Sequence, residues 1–368
     1  MTHDGKLVVG SWDHATGQTR EFVLKERWGR DDHNSPALLV LSDRRIAAFY
    51  SMHNGRGLFC RTTTRPGDIS AWDDEAAVST MRRITYPNPV RLDDEGLYYC
   101  FWRGTNWKPT FATSADLRTW TAPSTLIEEK GREGFWVRPY VKVAGDGKSA
   151  IHFAFTDGHP RDEPANSIYY LRYERGKFFA ADGRELGSTR DLPMRPRACE
   201  IVYDARATGV RAWIWDLALD AAGRPVIAYT RLSAKADHRY HYARFDGTTW
   251  TDVEITPAGG WFPQTPRGMH EHEPHYSGGL ALDPADPDVV YLSRPVRGVF
   301  EIEKWTTRDR GRSWTPEPLT SHSRWNNVRP FVPRGCAGNA GDVLWMHGDY
   351  THYTDFRTDI RMSAPADR

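Results

Sequence analysis

The chain has 368 residues, 12 % of them aromatic with 15 tryptophans, and a formal net charge of +1. It carries no basic stripe and no polybasic helix, which argues against nucleic acid or a membrane surface as partner. No run of eighteen apolar residues is present to span a bilayer. The start, Met1-Thr2-His3-Asp4-Gly5-Lys6, shows no basic-then-apolar leader, so the expected location is the cytoplasm; a secreted chain with its leader removed would read the same. Cys60, Cys100, Cys199 and Cys336 are widely spaced, without CxxC. Cys60 and Cys100 lie on strand patterns and are expected to be buried free thiols, as in a reducing compartment.

In chain order, residues 6–25 read as a hairpin around Ala15-Thr16-Gly17. A motif then recurs six times: a short apolar strand, a tight turn and a more aromatic strand. The first strands are expected at 37–41, 88–92, 138–143, 217–220, 279–283 and 329–333. Their partners follow at 45–51, 97–103, 149–157, 224–231, 288–294 and 342–349. The turns carry Ser42-Asp43, Asp93-Asp94-Glu95-Gly96, Gly145-Asp146-Gly147, Ala222-Gly223, Pro284-Ala285-Asp286-Pro287 and Gly338-Asn339-Ala340-Gly341. With Ile46, Leu97, Ala150, Pro225, Val289 and Val343 as equivalent points, the spacings are 51, 53, 75, 64 and 54 residues. A period near fifty residues with several strands per unit predicts an all-β fold, a β-propeller, as one catalytic domain over 1–368. The last repeat, 328–362, is short of an outer strand. The N-terminal strands are expected to complete it and so remove free sheet edges. Six innermost strands are countable, and the N-terminal hairpin makes the number six or seven.

The outer strands carry a second signature. Thr307-Arg308-Asp309-Arg310-Gly311-Arg312-Ser313-Trp314 fits the Asp-box pattern S/T-x-D-x-G-x-S/T-W, with weaker forms at 114–120 and 246–250. Here the Asp caps a tight turn and the Trp packs between blades, so these carboxylates are structural. Two irregular stretches, 158–200 and 259–277, interrupt the repeat and are long enough to be functional loops.

In each hairpin the start of the first strand and the end of the second lie at one end. Those places hold His33 and His53, Asn88 and Arg103, Arg138 and His159, Asp216 and Arg231, His275 and Arg294, and Arg329 and His347. If the units are radial, these residues converge on one face, where function usually sits. Cross-strand geometry should bring His33 and His53 together as an acid–base pair. Arg103 and Arg138 have the fork that holds a carboxylate, and Arg195 and Arg197 are placed to reach the same space. Asn34, Asn88, Trp102, Tyr140, His159, Arg195, His275, Tyr276 and His347 are the expected substrate contacts. Tyr140, Trp102 and Trp107 are candidates to stack on a sugar or give a proton. His270 and His272, with Glu271, Glu273 and His275, have metal-like density but match no zinc template. No cofactor is required by this constellation; a structural Ca or Zn is the candidate there.

Asp31-Asp32-His33-Asn34-Ser35-Pro36, Tyr86-Pro87-Asn88-Pro89, Phe101-Trp102-Arg103-Gly104, Val137-Arg138-Pro139-Tyr140, Asp157-Gly158-His159-Pro160-Arg161 and 346–353 together resemble the bacterial-neuraminidase-repeat propellers that include ulvan lyases and rhamnosyl-glucuronate lyases. That resemblance implies seven blades and β-elimination at a uronic acid linked through O4. It implies His33 and His53 as base and acid, with Arg103 and Arg138 beside the uronate carboxylate. The ulvan lyases also use a Tyr, for which no motif gives a position here; this tilts the resemblance towards the rhamnosyl-glucuronate type, with an acidic oligo- or polysaccharide as substrate.

Two rivals stand beside it. A sialidase-like hydrolase would act on the same kind of glycan, but hydrolysis on conventional carboxylates needs two of them across one bond, and histidines stand where they are expected; an α-L-rhamnosidase with a histidine-based site would act on the same rhamnosyl-glucuronate bond, and the product, saturated or unsaturated, separates it from the lyase. A glycan-binding propeller would repeat one site in every unit, whereas here the residues differ from unit to unit.

Overall fold

The hairpin turns fold for a local reason. Asp43, Asp146 and Asp220 each accept hydrogen bonds from backbone N–H groups two to four residues on, closing the turn through a side chain. In the first four units one residue of the turn lies in the left-handed region, at Arg44, Gly96, Gly147 and Gly223 (φ 64°, 66°, 75° and 73°). The computed structural model describes residues 2, 4–129, 137–262, 276–334 and 342–363.

The described chain is built of strands, with short 3₁₀ turns and one four-residue helix, Ala205–Thr208. No described helix is long and apolar enough to cross a membrane. The first strands of the six hairpins follow one another in space as they do in sequence, so the sheets stand radially around an axis. The strand Ala76–Leu92 belongs to two sheets. Its first half pairs with Gly55–Arg65 and its second half with Leu97–Arg103. Arg83 and Tyr86, both at φ 62°, sit at the crossover. The fourth and fifth units are four-stranded antiparallel sheets, and the last has three strands, Asn326–Phe331, Leu344–His352 and Asp355–Met362.

The core is divided among the gaps between neighbouring sheets. One layer joins Phe101 and Phe153, the next Tyr170 and Ile227, the next Val226 and Leu292. The Asp boxes fasten these layers. Asp116, Asp246 and Asp309 each accept from backbone N–H groups across their turns. The following tryptophan then packs on an aromatic ring of the preceding sheet: Trp120 on Phe49, Trp250 on Tyr170, Trp314 on Tyr242. Cys60, Cys100 and Cys199 are buried free thiols; Cys336 lies outside the described residues.

The expected completion of the last sheet by the N-terminal strands is not seen among the described strands. Leu7–Asp13 and Gln18–Lys25 pair with each other. Their apolar side packs on the first unit, with Leu7, Val9, Leu24 and Trp28 against Tyr50 and Trp72. First and last units are joined instead by polar contacts. Asp32 N–H donates to the Tyr353 carbonyl (2.9 Å) and Arg30 donates to the Phe356 carbonyl (2.6 Å). The outer strand of the last sheet alternates Asp355, Arg357, Asp359 and Arg361, a charged edge that discourages pairing with another chain.

Candidate active site

The 3₁₀ turn Asp32–Asn34 places the first histidine. Asp31 caps it, its Oδ1 accepting from His33 N–H (3.0 Å) and also from His33 Nδ1 (2.6 Å). The second oxygen of Asp31 accepts from His53 Nδ1 (2.9 Å). One carboxylate therefore orients both imidazoles, which stack at 3.9 Å between centroids with 11° between planes. Neither Nε2 has a protein partner among the described residues, so both are left for a ligand. Asn34 is committed to this scaffold. It donates to the carbonyls of Trp28 and Gly29 and accepts from His53 N–H (2.6 Å), which fixes where the second histidine starts.

The two imidazoles differ in charge. Burial disfavours the charged form of His33, but Asp32 (Nδ1–Oδ1 2.9 Å) and Asp31 outweigh it and lift its pKa to about 9. His53 moves the other way: burial, and then the positive His33 beside it, hold its pKa below the ordinary value despite Asp31. At neutral pH one ring carries a proton that the other lacks. The carboxylates answer accordingly. Burial opposes ionisation of Asp31, yet the histidines bring it down to about 2. Asp32 is held below the carboxylate range against still stronger burial by Arg329 and His33.

The last unit closes the cluster. Arg329 donates to Asp32 (2.7 Å) and to the Tyr350 hydroxyl (3.1 Å), and Tyr350 also donates to Asp32. Tyr353 stands edge-on to both histidines, 5.0 Å from His33 and 5.7 Å from His53.

The second unit contributes Tyr86 and Arg103. Tyr86 lies 5.5 Å from the His33 ring, under the Arg103 guanidinium (4.9 Å). Its left-handed backbone is unusual for a bulky residue and of the kind that collects at functional sites. Asn88 holds that backbone by donating to the Tyr86 carbonyl (2.8 Å). Arg103 is 7 % exposed. It donates to Tyr140 OH (3.1 Å), Asn54 Oδ1 (3.0 Å) and Thr85 Oγ1 (3.1 Å), and its Nε has no partner. No described carboxylate lies within ion-pair distance of it. A buried guanidinium without a counter-ion is costly and is poised for an anionic ligand.

Arg138 differs. Its Nη1 pairs with Asp162 at 2.5 Å and its Nε reaches Tyr140 OH (3.4 Å), so its charge is already answered. Tyr140 therefore receives two guanidinium groups. Burial would raise its phenol, but Arg103 and Arg138 prevail and bring it below the ordinary value.

Other expected contacts fall elsewhere. Trp102 is 1 % exposed and sits in the layer between the first and second sheets, facing away from Arg103 by strand alternation; it is core, and no sugar reaches it. His159 is fully buried. It takes a hydrogen bond from Arg161 N–H and gives one to Tyr276 OH (2.8 Å), and burial, then Arg138 and Arg161, keep it neutral. His159, Tyr276, Tyr140 and Trp213 form one aromatic group beside the site. His347 is in mid-strand, because its strand runs on to His352. It donates to Asn327 (2.8 Å), and Tyr350 takes the place expected of it. Arg195 is exposed and touches no member of the histidine cluster, while Arg197 pairs with Asp204 (3.1 Å). Arg197 also helps line a cavity of about 160 Å³ that shares no residue with the cluster. Arg231 and Arg294 pair with Asp252 and Glu303 of their own sheets. His270, His272 and His275 lie outside the described residues.

Arg329 joins the histidines on the face where the hairpin pattern expected it, whereas sequence reasoning missed Asp31 as the shared anchor and Tyr86, Tyr350 and Tyr353 as neighbours of the histidines. Asp31-Asp32 flanking His33 was the available signal for the first. Among the described residues Asp31, His33 and His53 also offer three metal-ligand atoms within reach of one another.

Residues 1–258 match the family described as BNR repeat-containing family member. The chain is similar to Ulvan Lyase-PL25 of Pseudoalteromonas sp. (strain PLSV), 23 % identical over 291 residues, which are 66 % of this chain and 58 % of that protein. The chain thus spans under two thirds of that relative's length. Among solved structures, polysaccharide lyase Uly1 superposes with a TM-score of 0.59 at 11 % identity, over 97 % of this chain and 84 % of that one. The α-L-arabinofuranosidase Arb93A of Fusarium graminearum gives 0.47 at 11 % identity over 97 % of each chain, too loose a likeness to bear on chemistry.

Proposed function

Because the chain belongs to the BNR repeat-containing family, we propose that it is a polysaccharide lyase that cleaves a uronate-containing glycan by β-elimination. The observation that carries this reading is one buried cation without a counter-ion, Arg103, beside two stacked histidines of opposite protonation. The likeness to an ulvan lyase supports it. The substrate class is a rhamnosyl-α-1,4-glucuronate or ulvan-like chain.

The chemistry has three demands, and each has a residue. Arg103 takes the uronate carboxylate, which makes the C5 proton acidic and spreads the charge that develops on its removal. Neutral His53 takes the C5 proton at Nε2. The C5–H electron pair becomes the C4=C5 double bond, the C4–O4 bond breaks, and protonated His33 gives its Nε2 proton to the departing O4. Both rings are held from Nδ1 by Asp31 and stack face to face, so their Nε2 atoms work from one side of the sugar, which favours a syn elimination. Tyr140, its phenol flanked by Arg103 and Arg138, is the second candidate for a proton-transfer role.

A hydrolase working on a pair of carboxylates would need a carboxylic acid that keeps its proton near neutral pH. Asp31 and Asp32 are both held as anions, which weighs against that reading. Seven blades are part of the same proposal.

The test is near-ultraviolet absorbance during incubation with ulvan and with gum arabic oligosaccharides. An unsaturated uronate should appear with one of them, and His33→Ala and His53→Ala should each abolish it while the fold survives. Released rhamnose without absorbance, or an active double variant, would overturn the reading.

A further inference from the structure

Among the described residues, two innermost strands leave apolar side chains uncovered towards the axis. Leu38 and Val40 on Ala37–Val40 and Phe331 on Asn326–Phe331 are about half exposed, although these strands lie at the centre of the molecule. One charged side chain stands in this space without a partner. Arg138, Tyr140 and Lys142 are alternate positions on the way into the strand Val141–Gly145, so Lys142 faces the same side as Tyr140, roughly 7 Å further along. It is half-buried, and among the described residues it makes no hydrogen bond or ion pair. The charges around it are Asp216, Arg334 and Arg329. The nearby carboxylate is already engaged: Asp216 accepts from Arg334 (2.8 Å) and from Leu282 N–H (3.0 Å), while Arg329 is held by Asp32 (2.7 Å). The lysine is therefore the surplus cation of the axis. Burial lowers its pKa, as expected of an ammonium group without an anion.

We propose that this axial space is a second anion-binding subsite, in which Lys142, with Arg329 and Arg334 beside it, takes a carboxylate or sulfate ester on the sugar next to the one cleaved. The inference rests on the lyase reading for its place in the substrate, but not for the anion site itself. Leu38, Val40 and Phe331 supply an apolar wall against which the C–H face of that sugar lies. Arg329 links the two sites, since it also holds Asp32 against His33. The enzyme would thus select glycans with acidic groups on consecutive sugars.

The experiment compares wild type, Lys142→Met and Lys142→Arg on three oligosaccharides that differ only at the neighbouring sugar: neutral, sulfated, or a second uronate. The wild type should show a KM about tenfold lower for one or both doubly acidic substrates, the size expected of one hydrogen bond to a charged group, and the responsive substrate names the anion. Lys142→Met should erase that preference with kcat unchanged, while Lys142→Arg keeps most of it. A preference that survives Lys142→Met, or a KM raised equally on all three, would overturn the subsite. Titration of the same proteins with inorganic sulfate, read by tryptophan fluorescence, separates the two readings. Saturable binding by wild type and not by Lys142→Met would uphold the anion site even if no glycan is cleaved. No difference between them would overturn it even if one is.

Discussion

Replacing Asp31 with Asn tests the histidine pair most directly. Among the described residues Asp31 is the one bonded to both Nδ1 atoms, at 2.6 and 2.9 Å. The lift of His33 from 6.5 to about 9 amounts to roughly 3 kcal/mol in favour of the imidazolium. Asp32 supplies one part of it and Asp31 the other. Asparagine removes the second part and keeps the shape, so the alkaline limb of the rate profile should move down by about one pH unit. The acid limb belongs to His53, whose pKa lies below 6.5. It should change less, because the variant removes an attraction but leaves the neighbouring charge of His33. Asparagine also offers an N–H where one ring now donates, which forces that ring into the wrong tautomer; a loss of about 10²-fold or more in kcat follows. The same group links stability to pH. The folded value of His33 is raised, so its contribution is whole below 6.5 and is lost as pH rises through about 9. The wild-type Tm should fall across that interval, and Asp31→Asn should flatten the fall. The assay is kcat against pH from near-ultraviolet absorbance, with thermal melts on the same samples. An alkaline limb still near 9 and a kcat within threefold of wild type would refute the assignment.

Arg103→Met should lower kcat/KM by about 10²–10³-fold while the melt stays level or rises, because a buried guanidinium without a counter-ion is removed; a lowered Tm with little kinetic change would make Arg103 structural. Gly311 and Gly147 both have left-handed backbone, at φ 93° and 75°, but differ in their surroundings. A Cβ at Gly311 would meet the Tyr242 ring at 2.8 Å, whereas at Gly147 it meets nothing within 4 Å. Chemical denaturation should show Gly147→Ala costing about 1 kcal/mol and Gly311→Ala at least about 2 kcal/mol, with activity unchanged in both; equal costs would mean that the Asp-box turn relaxes freely.

Much of the fold was written locally. Asp43, Asp146 and Asp220 close their own turns, and Asp116, Asp246 and Asp309 close the outer ones, through bonds that span two to four residues. Such contacts need only neighbouring residues, so a sequence displays them. The nearness of His33 and His53 was legible for the same reason, since one hairpin and one register, Ala37 opposite Phe49, bring them together. What the sequence could not display depends on the ring. Tyr350 and Tyr353 meet Asp32 and the histidines across about three hundred residues, and only the meeting of first and last units puts them there; the bond from Arg329 to Asp32 is of the same kind, although the hairpin pattern had set Arg329 on that face. Tyr86 stands at a crossover between two sheets that reads as one strand. Trp102 and Arg103 are adjacent letters of similar promise, yet strand alternation sends one into the core and the other to the site. The charges of the two histidines are tertiary as well. Identical side chains part in pKa because the second carboxylate, Asp32, reaches only one of them. Residue type and spacing therefore fixed the hairpins and their turns, while burial, strand parity and the meeting of the first and last units decided which side chains gather at the candidate site and how their pKa values part.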